Sequence, residues 1–154
     1  MIIIDGHNLI GASKDIRLSD PNAKDLLLVK LLEYQKILQR KLVVVFDGKS
    51  FGEFEKLDFH GIEIRYPVSG ESADQTIIKL IEKYNNQPGI CIVSSDRDIQ
   101  NSAKRAHLAT QTSTNFYNEI EETILQGNSE TEKYLSPVNT DEWLDYFNNK
   151  KNNS

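Results

Sequence analysis

The sequence contains a single cysteine, Cys91, so it cannot form an internal disulfide. No apolar stretch approaches the roughly 18 residues of a membrane-spanning helix. Positive charge is also scarce, since 23 acidic residues outnumber 18 lysines and arginines and the net charge is −5. These absences exclude a disulfide scaffold and a protein that coats nucleic acid through bulk positive charge. No basic or long apolar segment precedes Ile2, so a cytoplasmic location is the default expectation.

Several ligand-binding signatures are missing as well. The glycines form neither GxxxxGK[ST] nor GxGxxG, which argues against a P-loop or a dinucleotide-binding fold. The three histidines, His7, His60 and His107, are scattered. With one cysteine, they do not provide the ligand spacing of a zinc site. Any chemistry must therefore come from other residues.

Short apolar runs predict the strands of a sheet. Three of them are β-branched and non-alternating, as is typical of parallel strands covered on both faces. They are Ile2–Ile4, Leu42–Phe46 and Ile90–Val93. The alternating segment Ile62–Tyr66 predicts a strand nearer the edge, and Leu108–Gln111 predicts a weaker strand.

Helical patterns separate these runs. One helix follows Pro21 and Asn22, and another opens with a capping box formed by Ser72 and Gln75. Two more are predicted at residues 96–106 and 115–125. Alternating strands and helices predict an α/β fold, a three-layer sandwich with a roughly five-stranded parallel sheet.

The domain is expected to occupy residues 1–126. Residues 127–154 are more polar and form an extension with a short amphipathic helix near residues 140–148. This helix would dock on the domain or bind a partner.

Aspartates lie where the predicted strands end. Asp5, Asp47 and Asp96 come at or just after the carboxyl ends of three strands, with Asp98 close behind and Asp74 in the first turn of a helix. In open parallel sheets ligands bind at that edge, so we expect these carboxylates within a few ångströms of one another. Each alone also fits a turn or a helix terminus. Together they would repel, and a hard divalent cation, Mg²⁺ or Mn²⁺, would relieve that repulsion. Such a site suits phosphate ester chemistry.

Polar neighbours extend this candidate site. Asn8 would orient a bound water or phosphate, or cap a helix, and Ser94 and Ser95 would bind phosphate or act as caps. Basic residues near the same edge would hold a nucleic-acid backbone or remain ordinary solvated charges. They are Lys49, Arg97, Lys104 and Arg105.

Four motifs, in this order, resemble the NYN branch of the PIN-like nucleases, and the YacP-like group in particular. They are IIIDGHNLIG from Ile2, VVFDG from Val44, SAD from Ser72 and VSSDRD from Val93. The resemblance runs from residue 1 to about residue 126. Each motif is short, and their order and spacing make the match specific.

The resemblance implies a five-stranded parallel sheet flanked by helices, an acidic Mg²⁺ or Mn²⁺ site, and ribonuclease activity on RNA. It also implies roles for individual residues. The metal-site acids would be Asp5, Asp74, Asp96 and Asp98, with Asp47 as a flanking acid and Asn8 as the associated polar residue.

Two positions depart from the family pattern. His7 replaces an aromatic residue before the asparagine, and Ile78 stands where a further acid is expected. The leading hypothesis is a metal-dependent endoribonuclease. The alternative is a PIN-like RNA-binding or adaptor module with weak or no catalysis, which Ile78 and the negative net charge favour. A small-molecule phosphatase is disfavoured because the turn after Asp5 lacks the second aspartate of a DxD motif. A protein or ribonucleoprotein partner and the oligomeric state stay open.

Overall fold

The computed structural model describes residues 1–48 and 61–131, with side chains through residue 127. Within these residues, strands and helices alternate. In chain order the elements are β1 (Ile2–Asp5), α1 (Gly6–Ala12), α2 (Ala23–Leu38), β2 (Leu42–Val45), β3 (Ile62–Arg65), α3 (Ala73–Lys83), β4 (Cys91–Val93), α4 (Arg97–Arg105), β5 (Ala109–Gln111) and α5 (Ser113–Thr131). None of the helices in the described ranges combines the length and the apolar composition needed to cross a membrane.

The sheet has five strands, all parallel, in the order β3-β2-β1-β4-β5. The chain moves outward from β1 to β3 and then returns to the other side of β1 for β4 and β5. The strand order therefore reverses between β1 and β4, and such a switch point opens a crevice at the carboxyl ends of the strands. The predicted parallel sheet is confirmed, with β3 at an edge as its alternating sequence indicated.

Two hydrophobic layers cover the two faces of the sheet. Because side chains alternate along a strand, Ile2 and Ile4 of β1 join the layer formed with α1, α2 and α5, whereas Ile3 joins the layer formed with α3 and α4. Val44 and Val45 of β2 divide in the same way. The predicted three-layer sandwich is thus confirmed.

The helices differ from the sequence prediction in two places. Helix α1 was not predicted, and it begins directly after β1 with Asp5 as its N-cap. Helix α5 runs from Ser113 to Thr131, beyond the predicted end at residue 125. Polar residues continue a helix as long as none of them breaks it, so the change of composition was a poor marker of its end. The predicted helix at 140–148 lies outside the described residues.

Gly6 allows α1 to start close to β2. A Cβ atom there would lie 2.5 Å from the Phe46 ring and 3.0 Å from the carbonyl oxygen of Val45. Gly6→Ala is therefore expected to lower the free energy of unfolding by about 1–3 kcal/mol, as overpacking does. Urea unfolding measures this change.

Gly11→Ala is the matched control for this prediction. Gly11 lies in the same helix, and a Cβ atom there would meet only Leu18 Cδ1, at 3.7 Å. Since alanine favours helix over glycine by about 1 kcal/mol, we expect this variant to be as stable as the wild type or more so. Equal stability of the Gly6 and Gly11 variants would contradict the packing argument.

Candidate active site

The predicted acids all lie at the carboxyl ends of the strands. We call this side of the sheet, which carries Asp5, Asp47, Asp74, Asp96 and Asp98, the acidic edge. Asp5 ends β1, Asp47 follows β2 and Asp96 follows β4, while Asp74 and Asp98 lie in the first turns of α3 and α4. Burial is the main cause that raises the pKa of Asp74, and the nearby charges of Asp96, Asp47 and Asp98 raise it further. The charges of these three acids therefore reach Asp74 at the β1–β4 switch point.

Asp5 is the buried member of the set, with 7% of its surface exposed. Its carboxylate accepts hydrogen bonds from the Asn8 backbone N–H at 3.3 Å and from the Ser94 hydroxyl at 3.1 Å. Burial raises the pKa of Asp5 to about 6, because desolvation and the charges of Asp74 and Asp47 outweigh these two hydrogen bonds. The fold thus holds this carboxylate in a place that disfavours its charge.

Ser94 joins Asp5 to Asp96. Its hydroxyl donates to Asp5 and accepts the backbone N–H of Asp96 at 3.1 Å. Asp96 in turn caps α4, accepting the backbone N–H groups of Asp98 at 2.8 Å and Ile99 at 3.2 Å. Ser94 is fully buried, so the prediction that it contacts nucleic acid is wrong. It positions the two acids instead.

Asn8 is held by its carbonyl oxygen. Oδ1 accepts the backbone N–H of Ser95 at 2.8 Å and the hydroxyl of Ser113 at 2.5 Å. Because the backbone N–H of Ser95 can only donate, it assigns Oδ1 to this side and leaves the Nδ2 amide as the group that Asn8 offers to a ligand. The alternative that Asn8 caps a helix is wrong, since Asn8 lies inside α1. Sequence reasoning missed Ser113, which carries no local signal for this role.

Ser95 also anchors α5. Its Oγ accepts the backbone N–H of Ser113 at 3.1 Å, while the residue itself stays exposed. It does not cap α4, whose N-cap is Asp96. The suggested contact between Ser95 and a phosphate stays a prediction.

Asp47 links the end of β2 to the helices around it. Its Oδ1 accepts the backbone N–H of Ala73 at 2.9 Å, which fixes the start of α3 beside Asp74. Its own N–H donates to His7 Nδ1 at 3.2 Å, and its carbonyl accepts Lys24 Nζ at 3.3 Å. Burial lowers the pKa of His7, which agrees with a neutral imidazole that accepts this hydrogen bond. Asp47 is therefore a positioning residue as well as a flanking charge.

The predicted basic residues do not all lie at the acidic edge. Arg97 is the first residue of α4, next to Asp96 at the acidic edge. Lys104 and Arg105 lie in the last turn of α4, about 10–12 Å further along the helix. A helix that connects parallel strands runs back toward their amino ends, so the prediction that these two lie at the acidic edge is wrong. Lys49 lies outside the described residues.

The comparison with known families decides the affiliation of the chain. A model of the YacP-like NYN domain family matches residues 2–153, nearly the whole sequence. The chain belongs to the YacP-like NYN domain family. The predicted resemblance is thereby confirmed.

Named relatives of this NYN domain come from Bacillus subtilis. "Uncharacterized protein YacP" of strain 168 is 34% identical over 91 residues, which are 56% of this chain and 54% of that protein. The aligned segment therefore spans about half of that relative. The crystal structure of Rae1 (YacP) superimposes with a TM-score of 0.77 at 25% identity and covers 99% of this chain and 94% of the other. The crystal structure of a mutant of Rae1 (YacP) superimposes with a TM-score of 0.71 at 26% identity and covers 92% of this chain and 87% of the mutant chain.

The acids of this NYN domain are not gathered into a closed metal cage. Among residues 1–48 and 61–131, no three Asp, Glu, His or Cys side chains lie close enough together to chelate one ion. The expectation that the aspartates lie within a few ångströms of one another is therefore not met. The contacts explain why: Asp5, Asp47 and Asp96 each accept hydrogen bonds from a different set of donors, which keeps the like charges apart.

The donor chemistry nevertheless fits a hard cation. Nucleases with NYN and PIN-like folds generally use divalent metal ions. Mg²⁺ commonly keeps several waters and takes only one or two carboxylates from the protein, so it needs no closed cage. In the described part of the chain, no lysine, arginine or histidine forms an ion pair with the buried Asp5. A divalent ion would supply that missing positive charge.

Ile78, the departure from the family pattern, lies one helical turn beyond Asp74. It lines a groove between α3 and α4 together with Ile81, Ser102 and Arg105. The contribution of α3 to the acidic edge is therefore Asp74 in its first turn.

Proposed function

We propose that this NYN domain is a divalent-metal-dependent endoribonuclease that hydrolyses RNA phosphodiester bonds. The observation that carries the proposal is the buried carboxylate of Asp5 at the switch point, without a cationic partner among the described residues and facing further acids on α3 and α4. Buried carboxylates with raised pKa values are concentrated at ligand-binding and catalytic sites. The PIN-like nuclease fold of the family supports RNA as the substrate.

Each acid has a proposed role. Asp5, Asp74 and Asp96 would hold Mg²⁺ or Mn²⁺ directly or through water, and Asp98 would support them. When bound, the metal supplies Lewis-acid chemistry, which favours attack of water on phosphorus and offsets charge on the leaving oxygen. Ser94 keeps Asp5 and Asp96 in fixed relative positions through its two hydrogen bonds. By family analogy, the products would carry a 5′-phosphate and a 3′-hydroxyl.

Asn8 and Arg97 would hold the substrate. Since Oδ1 of Asn8 is occupied by Ser95 and Ser113, its Nδ2 amide donates to a non-bridging phosphate oxygen. Arg97 is exposed beside Asp96 and offers a guanidinium group that pairs well with phosphate. These two donors would orient the phosphodiester against the acidic edge.

Ser113→Ala tests the role of the Asn8 side chain. The substitution removes one of the two donors to Oδ1 and allows the amide group to rotate. We expect kcat to fall about 10- to 100-fold, as losses of outer-shell partners typically do, with a smaller change in KM. Steady-state cleavage of a labelled RNA measures both values.

Thr112→Ala serves as the control. Thr112 Oγ1 accepts the Asn115 backbone N–H at the start of α5, one residue from Ser113, without contacting Asn8. This variant is expected to lose stability and to keep kcat. Equal losses of kcat in both variants would mean that only the integrity of the α5 terminus matters.

Circular single-stranded RNA tests the proposed activity. A circle has no ends, so only an endonuclease converts it to a linear product. We expect linear RNA with Mn²⁺ or Mg²⁺ and intact circles with EDTA. Linearisation that persists in EDTA would contradict the metal dependence.

The adaptor function remains the second candidate. The absence of a closed three-acid cluster among the described residues, together with Ile78, favours it. It predicts RNA binding with no linear product at any metal concentration. The circular-RNA assay, run beside a binding assay, separates the two functions.

A further inference from the structure

Lys24 is a half-buried cation at the acidic edge. It lies in the first turn of α2, and its Nζ donates to the backbone carbonyl of Asp47 at 3.3 Å. The ammonium group also lies over the rings of Phe46 and Tyr66, close enough for cation–π attraction. These contacts hold a positive charge beside the carboxyl end of β2. No step of the proposed reaction uses it.

The charge of Lys24 has no carboxylate partner among the described residues. Within that part of the chain Lys24 forms no ion pair, and the Asp47 carbonyl is its one hydrogen-bond acceptor. An ammonium group carries three donors, so two of them are left for a ligand. A phosphate would supply both the acceptors and the negative charge.

Lys30, six residues later in the same helix, provides a contrast. Its Nζ forms ion pairs with Asp15 at 2.6 Å and Glu121 at 3.0 Å, and it donates to the Tyr117 hydroxyl at 2.6 Å. All three of its donors are therefore occupied. Lys30 joins parts of the fold, whereas Lys24 keeps donors available at the acidic edge.

Helix α1 connects the position of Lys24 to that of the proposed substrate donor Asn8. The Asn8 side chain contacts Ser95 after β4, whereas the next side chain along, His7, accepts the N–H of Asp47 after β2. Burial and the charge of Lys24 both lower the pKa of His7, against the opposing charge of Asp47. Lys24 therefore lies near His7, on the β2 side of the acidic edge.

The strand order relates these donors to the central acid. Strand β1, which ends in Asp5, lies between β2 and β4, and neighbouring strands are about 4.8 Å apart. Arg97 and Asn8 are on the β4 side of Asp5, and Lys24 is on the β2 side. An RNA backbone that runs across the strands would meet donors on both sides of the acid.

We propose that Lys24 binds a backbone phosphate of the RNA substrate, so that the strand crosses the acidic edge from Arg97 and Asn8 beside β4 to Lys24 beside β2. The proposal rests on the proposed function, because RNA is the ligand that would occupy the acidic edge. Lys24 is then a substrate-binding residue, and the chemistry stays with the acids.

Fluorescence anisotropy of a labelled single-stranded RNA tests this contact in EDTA, where no cleavage is expected. Lys24→Met removes the charge and keeps an unbranched side chain over the two rings. We expect Kd to rise about 3- to 10-fold at low salt, and the slope of log K against log[salt] to become about 0.7 smaller, as for one lost phosphate contact. Lys24→Arg keeps the charge and should bind within about twofold of the wild type. Thermal unfolding checks that both variants are folded.

Lys41→Met is the matched control. Lys41 is exposed and directly precedes β2, so it lies at the amino ends of the strands, away from the acidic edge. The substitution is the same and removes the same charge. Its Kd is expected to stay within about twofold of the wild type, with an unchanged salt slope.

The outcomes separate this contact from the proposed function. Equal effects of Lys24→Met and Lys41→Met, or weaker binding by Lys24→Met with an unchanged salt slope, would overturn the proposal. Normal binding by Lys24→Met, while the wild type linearises circular RNA, refutes the Lys24 contact alone. Selective loss of binding in a protein that cuts no RNA supports the contact and refutes the proposed nuclease activity.

Discussion

Replacing Asp5 with asparagine is expected to lower kcat for RNA cleavage about 100- to 1000-fold, since a bound metal contributes several kcal/mol to catalysis. Asparagine keeps an oxygen that can accept the Asn8 backbone N–H, so the cap of α1 is retained. The charge is lost, and the hydrogen bond from the Ser94 hydroxyl is weakened. Initial rates on a labelled RNA at saturating Mn²⁺ measure the effect.

Glu122→Gln is the control for the charge change. Glu122 is an exposed carboxylate on α5, and its neutralisation removes the same single charge from the surface. This variant should cleave RNA at the wild-type rate. A near-normal kcat in the Asp5→Asn variant would show that the Asp5 carboxylate is not needed for RNA cleavage.

The same substitution is expected to stabilise the metal-free protein. The pKa of Asp5 in the folded chain is raised from 3.8 to about 6, so the folded state binds its proton more tightly than the unfolded state does. The destabilisation is therefore absent below about pH 4, grows as pH rises to about 6, and is complete by about pH 7. It amounts to at most about 3 kcal/mol at pH 7.5, and weakening of the Ser94 contact will reduce the gain.

Urea unfolding of wild type and Asp5→Asn in EDTA, at pH 4.5 and pH 7.5, measures this gain. We expect the variant to be more stable at pH 7.5 by about 1–3 kcal/mol, with a smaller advantage at pH 4.5. Comparing the two proteins cancels other titrations, such as that of Asp15, whose pKa is lowered by hydrogen bonds from Lys30 and Tyr117 that outweigh its burial. A variant less stable than the wild type at pH 7.5 would show that Asp5 supports the fold.

Much of the acidic edge was predictable because the apolar runs in the sequence show where each strand ends. Three apolar runs that end in aspartate place Asp5, Asp47 and Asp96 at one edge, as the parallel sheet confirms. Side chains two residues apart on a strand point to the same face of the sheet. Asp5 therefore lies on the same face as Ile3, whose side chain packs against α3 and α4. The acid of the central strand thus faces the helices that carry further acids.

Other features needed the tertiary structure. The partner of Asn8 is Ser113, 105 residues away, and no local pattern links them. Lys24 was missed because its position depends on how α2 packs. Its Nζ lies 5.4 Å from the Phe46 ring centre and 5.1 Å from that of Tyr66. These contacts depend on side chains from separate elements.

The misplacement of Lys104 and Arg105 has a simpler cause. Both are near Asp96 in sequence, but nine helical residues carry the chain away from the acidic edge. The direction of a crossover helix follows from the parallel sheet itself, so this error was avoidable.

Direct titration of Mn²⁺, followed by the loss of the free-ion paramagnetic resonance signal, tests the central claim that the acidic edge holds a divalent metal. The wild type and Glu122→Gln are expected to bind Mn²⁺ with the same affinity, and Asp5→Asn is expected to bind at least about tenfold more weakly. Equal Mn²⁺ affinity in Asp5→Asn and the wild type, or no binding by the wild type, would contradict the account.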